Sequence, residues 1–254
     1  MADRPILFSA PMVCALLEGR KTQTRRIIKP RDHASLFDGS WTDDYVLDPG
    51  NAAWRAEELR FAVGDRLWLR EAWRCNGWAA DVATIFYRAS ERDGYTAVCE
   101  QYPVIDKKPL RVSASWRPSI HMPRWASRLT LIVSDVRVER LQDISEADAK
   151  AEGVPEYLEG NTTDEPYCET CSGMGVHGAF GQDYGVTEVD CQECVTAKQK
   201  YQSLWNAING SGAWDANPWV VAVTFEVLKQ NIDEVAQIGF SPDTDRDSRL
   251  IGGE

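Results

Sequence analysis

Apolar and polar positions alternate in several short runs of the chain and follow helical spacing in a few others. PILFSA, residues 5–10, is an apolar run that predicts a strand. In PMVCALLEGRKTQTRRI, which follows it, Met12, Leu16 and Leu17 share one face at helical spacing. Pro11 suits the first turn of that helix and Gly19 its stop, so the basic residues after it lie just beyond a short helix. FAVGDRLWLREAWRC reads as a Gly-Asp turn followed by Leu67, Leu69 and then Ala72 or Trp73 in near alternation with charge, a half-buried strand. TIFYRA, residues 84–89, predicts a second strand. SRLTLIVSDVRVERL, 127–141, predicts a longer one with period two, and NPWVVAVTFEVL, 217–228, a valine-rich strand that closes the core. DISEADAKAEGV, 143–154, predicts a helix with Ser145 as N-cap and acids in its first turn. AKQKYQSLWNAING, 197–210, predicts another, with Tyr201, Leu204, Trp205 and Ile208 on one stripe. Residues 33–60 have no sustained period and read as a long surface loop. The segment SWRPSIHMPRWASR, dense in Pro and Trp, fits no regular element. Short strands with few helices predict a mixed, mostly antiparallel α+β fold, with a small β-barrel and flanking helices.

Length and composition narrow this picture. At 254 residues, one core with elaborations is expected. Apolar residues at 43% and charged ones at 26% place the chain among globular proteins. No apolar run approaches the ~20 residues of a membrane span, so no membrane partner is expected. MADRPILFSAPMV lacks the pattern of a secretory signal, which makes the cytoplasm the expected location. The formal net charge of −11 argues against broad, non-specific binding to nucleic acid but leaves room for a local basic patch. From residue 230 the chain is polar and acidic, a flexible tail to residue 254.

Four of the seven cysteines form two CxxC pairs, Cys168 with Cys171 and Cys191 with Cys194, separated by nineteen residues. Two such knuckles let four thiolates converge on one tetrahedral zinc ion, and four thiolates leave no open position, so the metal is read as structural. The plain alternative is a set of reduced thiols in a loop. Cys168 to Gly175 also resembles the CxxCxGxG repeat of the J-domain chaperones' zinc modules, which implies a zinc knuckle and nothing about chaperone activity. A zinc-binding insertion over 159–195 then divides a domain made of 1–158 and 196–229. His177 is read as a bystander and Cys14 as a small core residue; Cys75 and Cys99 have no partner motif.

GRKTQTRRIIK, residues 19–29, concentrates Arg20, Lys21, Arg25, Arg26 and Lys29 without one acid. It can be a solvated helix end, a phosphate-binding patch or a catalytic centre. For the last, Lys21 and Thr24 are three apart and share a face in a helical turn. A lysine deprotonates a hydroxyl only when neutral, and neighbouring cations with partial burial favour that state.

The segments LLEGRKTQTRR, VGDRLWLREAW, LQDISEADAKAEGV and NPWVVAVTFEV occur in the order found in the ASCH domain, a relative of the PUA domain, and the chain resembles that family over about 100 residues. RPILFSAPMV and WRPSIHMPRWASR are similar to the longer ASCH-type proteins of bacteriophages and prophages. The resemblance implies a PUA-like barrel whose cleft takes a nucleoside or single-stranded nucleic acid. In the small bacterial ASCH amidohydrolases, which deacetylate N4-acetylcytidine, a Lys, a Thr and a Glu carry the reaction. Lys21 and Thr24 match the first two, and Glu152 falls at the third, with Glu146 and Glu156 nearby. The resemblance thus implies Lys21 as base, Thr24 as nucleophile and Glu152 as the acid for the departing amine. Arg20, Thr22, Arg25 and Arg26 are the expected substrate-binding residues. A non-catalytic reader of RNA or modified DNA, and a ribonuclease using the same cleft, are the alternatives.

Overall fold

The computed structural model describes residues 1–31, 35–92, 95–96, 99–154, 176–180, 186–190 and 196–235, with the backbone alone for residues 92, 95–96, 176–180 and 186–190. In chain order the elements are β1 (Asp3–Leu7), α1 (Ala10–Leu17), β2 (Gln23–Ile27), α2 (Asp43–Leu47), α3 (Ala52–Glu58), β3 (Arg66–Arg70), β4 (Trp73–Trp78), β5 (Val82–Tyr87), β6 (Glu91–Arg92), β7 (Tyr95–Thr96), β8 (Cys99–Pro103), β9 (Thr130–Arg140), α4 (Glu146–Ala151), β10 (Val176–Phe180), β11 (Val186–Asp190), α5 (Ala197–Asn209) and β12 (Trp219–Leu228). The fold is α+β. Its main sheet has the order β1-β3-β9-β12-β2, and only the β1–β3 pair is parallel. A second sheet has the order β4-β5-β8.

The main sheet separates two apolar layers. On one face Val221, Val223 and Phe225 of β12 pack with Leu67, Leu69, Leu131 and Val133 against Val13 and Leu16 of α1 and against Leu36, Phe37 and Val46. On the other, Val220 meets Leu141, Ala149, Tyr201, Leu204 and Trp205 beneath α4 and α5. Alternation along β12 sends successive side chains to opposite faces, so a strand buried on both sides reads as a continuous valine-rich run. Trp73, Cys75, Ile85, Tyr87 and Met122 form a separate core for the second sheet.

Several sequence expectations need correction. Among the described residues the main sheet is open, with β1 and β2 as its edges, so the expected barrel does not close. Residues 43–58, read as loop, hold α2 and α3. Thr42 caps the first by accepting from the Tyr45 amide at 3.4 Å, and Asp48 accepts from the Gly50 amide at 2.6 Å between them. The strand expected through Trp73 breaks at Glu71 and Ala72, where the chain passes from one sheet to the other. Ile208 lies off the buried stripe of α5 at 55% exposed, next to the helix end at Asn209 and its C-cap Gly210. Residues 231–235, placed in the tail by their polarity, are packed: Ile232 is fully buried and Asn231 Nδ2 donates to the carbonyls of Arg124, Trp125 and Ser127. The Gly-Asp turn does form. Gly64 has φ +85°, and Asp65 accepts from the Ala2 amide at 2.7 Å and from Arg4 Nε at 3.1 Å, which fastens the N-terminus beside β3.

Candidate active site

The basic segment leaves α1 through Gly19, whose φ of +76° ends the helix. The Arg20 and Lys21 amides still bond to the Ala15 carbonyl, after which the chain runs out as β2. Opposite, Ser145 caps α4 by accepting from the Asp148 amide, and the helix ends at Glu152. Lys21 and Glu152 form an antiparallel bridge, and the Thr22 amide bonds to the Ala151 carbonyl at 2.8 Å. Gly153 permits this approach. Its φ is +84°, and a Cβ there would lie 2.7 Å from the Lys21 Cβ and 3.0 Å from that of Ala15.

Backbone pairing therefore sets two charged side chains together out of water. Lys21 is 1% exposed and Glu152 3%. Lys21 Nζ donates to Glu152 Oε2 at 2.7 Å and to the Glu152 carbonyl at 2.8 Å. Arg25, whose side chain is fully buried, donates through Nη1 to Glu152 Oε1 at 3.1 Å and to Gln23 Oε1 at 2.6 Å, and through Nε to Glu139 Oε1 at 2.7 Å. Its Nη2 lies 2.7 Å from Glu139 Oε1 and 3.4 Å from Asp148 Oδ2, near enough for charge pairing but not aligned for a hydrogen bond. Gln23 Nε2 closes the network on Asp148 Oδ1 and Thr224 Oγ1.

Burial pulls the Lys21 ammonium below the ordinary lysine value. The Glu152 carboxylate opposes this, and the guanidinium groups of Arg26 and Arg25 add to it. Burial also works against the Arg25 charge, but Glu152 and Glu139 outweigh it and hold Arg25 above its usual range. The Tyr201 phenol is pushed well above its ordinary value by burial and by the charge of the Glu152 carboxylate.

Thr24 occupies the other side of β2. It pairs with Val223 and Arg26 with Val221, so both follow the apolar face, opposite Gln23 and Arg25. Lys21 and Thr24 thus do not sit on one helical turn, as their spacing suggested. Lys21 and Arg26 meet on one ring instead: Lys21 Nζ lies 5.5 Å from the centroid of the Phe8 ring, and the Arg26 guanidinium lies 5.1 Å from the same ring. Thr24 is 4% exposed and makes no side-chain hydrogen bond among the described residues, to Lys21 and Glu152 included. Arg26 donates to the Leu7 carbonyl at 2.7 Å and has no carboxylate within ion-pair distance among the described residues.

The other expected contacts divide. Arg20 is exposed and bonded to Glu18 and to the Gly153 carbonyl, and Thr22 is exposed. Gln23, Glu139, Asp148 and Tyr201 join the site without a sequence motif to announce them; only the apolar stripe of α5 pointed to Tyr201 as buried. Glu139 also lines a groove of about 460 Å³ between α3 and the second half of β9, together with Ala52, Ala56, Leu59, Val136 and Val138. Cys168, Cys171, Cys191 and Cys194 lie outside the described residues. Among the described residues no cluster of His, Cys, Asp and Glu is arranged to hold a metal ion, and no helix is long and apolar enough to cross a membrane. No family model matches the chain, nor does any curated protein or solved structure.

Proposed function

We propose that the chain is a PUA-like ASCH protein that acts on a nucleoside or nucleic acid, as an amidohydrolase that deacylates N4-acetylcytidine or a related modified base. The observation that carries this reading is the buried Lys21–Glu152 pair, with Thr24, three residues further along the chain, making no side-chain hydrogen bond among the described residues. A lysine with a lowered pKa is a competent base, and a free hydroxyl within a basic segment is the group it would activate. Arg26, a half-buried cation without a carboxylate, suits the oxygen that becomes negative when a carbonyl is attacked. Incubation of the purified protein with N4-acetylcytidine is expected to release acetate, and Lys21→Met and Thr24→Ala to stop the release. Absence of release from the wild-type protein across several acylated nucleosides sinks the reading.

The unpaired Arg26 also favours a second reading, a module that binds RNA or modified DNA without cleaving it. Its affinity would fall with salt, and Arg26→Gln would weaken it and reduce the salt slope by about one.

We also propose a structural zinc ion held by Cys168, Cys171, Cys191 and Cys194. The register of the β10–β11 hairpin supports it. Val176 pairs with Asp190, so the segments that carry the two CxxC pairs both leave from one end of the ladder. Tetrahedral thiolate zinc would fasten this insertion and take no part in turnover. Metal analysis of the purified protein is expected to find one zinc per chain, lost on Cys171→Ser.

A further inference from the structure

We propose that Arg25 is a positioning residue that occupies Glu152 Oε1, so that Lys21, and not Glu152, carries the proton from the Thr24 hydroxyl to the departing amine. The chemistry rests on the deacylase reading above; the state of the Lys21–Glu152 pair does not.

Both oxygens of Glu152 are occupied. Oε2 accepts from Lys21 and Oε1 from Arg25. With both oxygens engaged by cationic donors, Glu152 has no oxygen turned toward a ligand. Nor can Arg25 turn away, because Gln23 and Glu139 hold its other donors. Glu139 is itself a residue of the groove wall, 16% exposed, whereas the Arg25 side chain is sealed. The arginine that the sequence offered as a substrate contact therefore sits behind the acid.

Lys21 has the complementary arrangement. Two of its Nζ valences point to acceptors on a single residue, the side chain and the carbonyl of Glu152. A neutral amine has two N–H bonds and one lone pair, so both hydrogens are used and the lone pair is left free. The charged groups that face it are Glu152 from the end of α4 and Arg25 and Arg26 from β2; the Phe8 ring lies below it, and Tyr201 of α5 acts through Glu152.

The proton count then closes without Glu152 as donor. Thr24 Oγ1 gives its proton to Lys21 Nζ while the oxygen bonds to the acyl carbon. Lys21 returns that proton to the amine nitrogen as the C–N bond breaks, which leaves an acyl ester on Thr24. Water attacks the ester and gives a proton to Lys21, which passes it to Thr24 Oγ1 as the acid departs. Glu152 stabilises the transient ammonium throughout, as the buried acid of a Ser-His-Asp triad supports its histidine.

Two measurements test this. The first is independent of turnover: the unfolding free energy of wild type minus that of Lys21→Met, followed between about pH 6 and 9.5, tracks protonation of Lys21 in the folded state. The difference is expected to rise with pH. In an Arg25→Met background the rise moves to higher pH by about one unit or more, because a like charge is gone, and in Glu152→Gln it moves to lower pH. Arg25→Lys keeps the charge and leaves the rise in place. The second measurement is the pH profile of kcat on N4-acetylcytidine. Glu152→Gln is expected to lower kcat and to move the acidic limb of the remaining activity to lower pH. An acidic limb that stays in place in Glu152→Gln overturns the proposal, as does a Lys21 rise that is the same with Arg25→Met as without it. If wild type releases no acetate, the deacylase reading fails alone, and the stability series still decides whether Arg25 sets the pair. If Arg25→Met does not fold, Glu152→Gln and Arg25→Lys carry the test.

Discussion

Two buried acids in this molecule meet arginine in different ways. Beside the second sheet Arg128 Nε and Nη2 donate to the two oxygens of Glu71 at 2.8 and 2.9 Å, its Nη1 donates to Ser90 Oγ, and its guanidinium lies 4.1 Å from the centroid of the Tyr87 ring. Burial pushes the Glu71 carboxyl up, and Arg128 pulls against it. One cation faces one anion through a fork, with no charge left over. At the main sheet edge one carboxylate, Glu152, is shared by Lys21 and Arg25, and Arg25 is shared in turn by Glu139 and Asp148. The first arrangement is closed and structural. In the second, lysine and arginine share the same acid, the arrangement on which the proposed proton relay rests. The contrast shows that burial of an ion pair does not by itself mark a site; unequal sharing does.

The comparison can be broken most severely on its closed side. Arg128→Met leaves Glu71 buried without a partner and is expected to cost about 3–5 kcal/mol of stability, read by denaturant unfolding, with no effect on the pH dependence attributable to Lys21. Gly153→Ala combines a positive φ with a contact inside van der Waals distance, and is expected to cost about 1–3 kcal/mol and to displace Lys21 from Glu152. Tyr102→Phe removes the 2.7 Å Tyr87–Tyr102 hydrogen bond beside Arg128 and is expected to cost about 1 kcal/mol.

The pH response sharpens the contrast from both directions. Tyr87 and Tyr201 are held well above the usual tyrosine value and Tyr102 is raised to about 12, all chiefly by burial. Folding therefore keeps protons that the unfolded chain releases above about pH 10, so stability is intact below that value and falls as pH rises through it. Lys21 has the opposite sign: its folded value lies below its unfolded one, so its share of stability rises with pH between the two. Thermal unfolding across pH is expected to show a rise that Lys21→Met abolishes, followed by an alkaline loss that it does not.

Local signals in the sequence found the right helices where caps and periodicity agreed. Ser145 caps α4, Gly19 stops α1, and the alternation of 130–140 is a strand. They failed where the neighbour was distant. GRKTQTRRI reads as the end of a helix because of its charge, yet β2 forms there because β12 offers an edge with Val221 and Val223 in register. The loop of 33–60 hides α2 and α3 because each is too short to show a period. Arg25 and Arg26, adjacent and alike in the sequence, have opposite situations: one is sealed behind Glu152 and the other lies half-buried on Phe8. Strand alternation alone separates them.

By itself the sequence determined the α+β composition, the main apolar strands, two capped helices and the candidates Lys21 and Glu152. Only the tertiary structure decided that these two meet, that Arg25 turns to the acid rather than to a ligand, and that Thr24 keeps a free hydroxyl at the sheet edge. The reason is physical: Lys21 and Glu152 are 131 positions apart, and what joins them is a backbone bridge that needs Gly153 to let two chain segments touch. Composition and spacing specify which groups are present, whereas burial and shared partners set the charge each one carries.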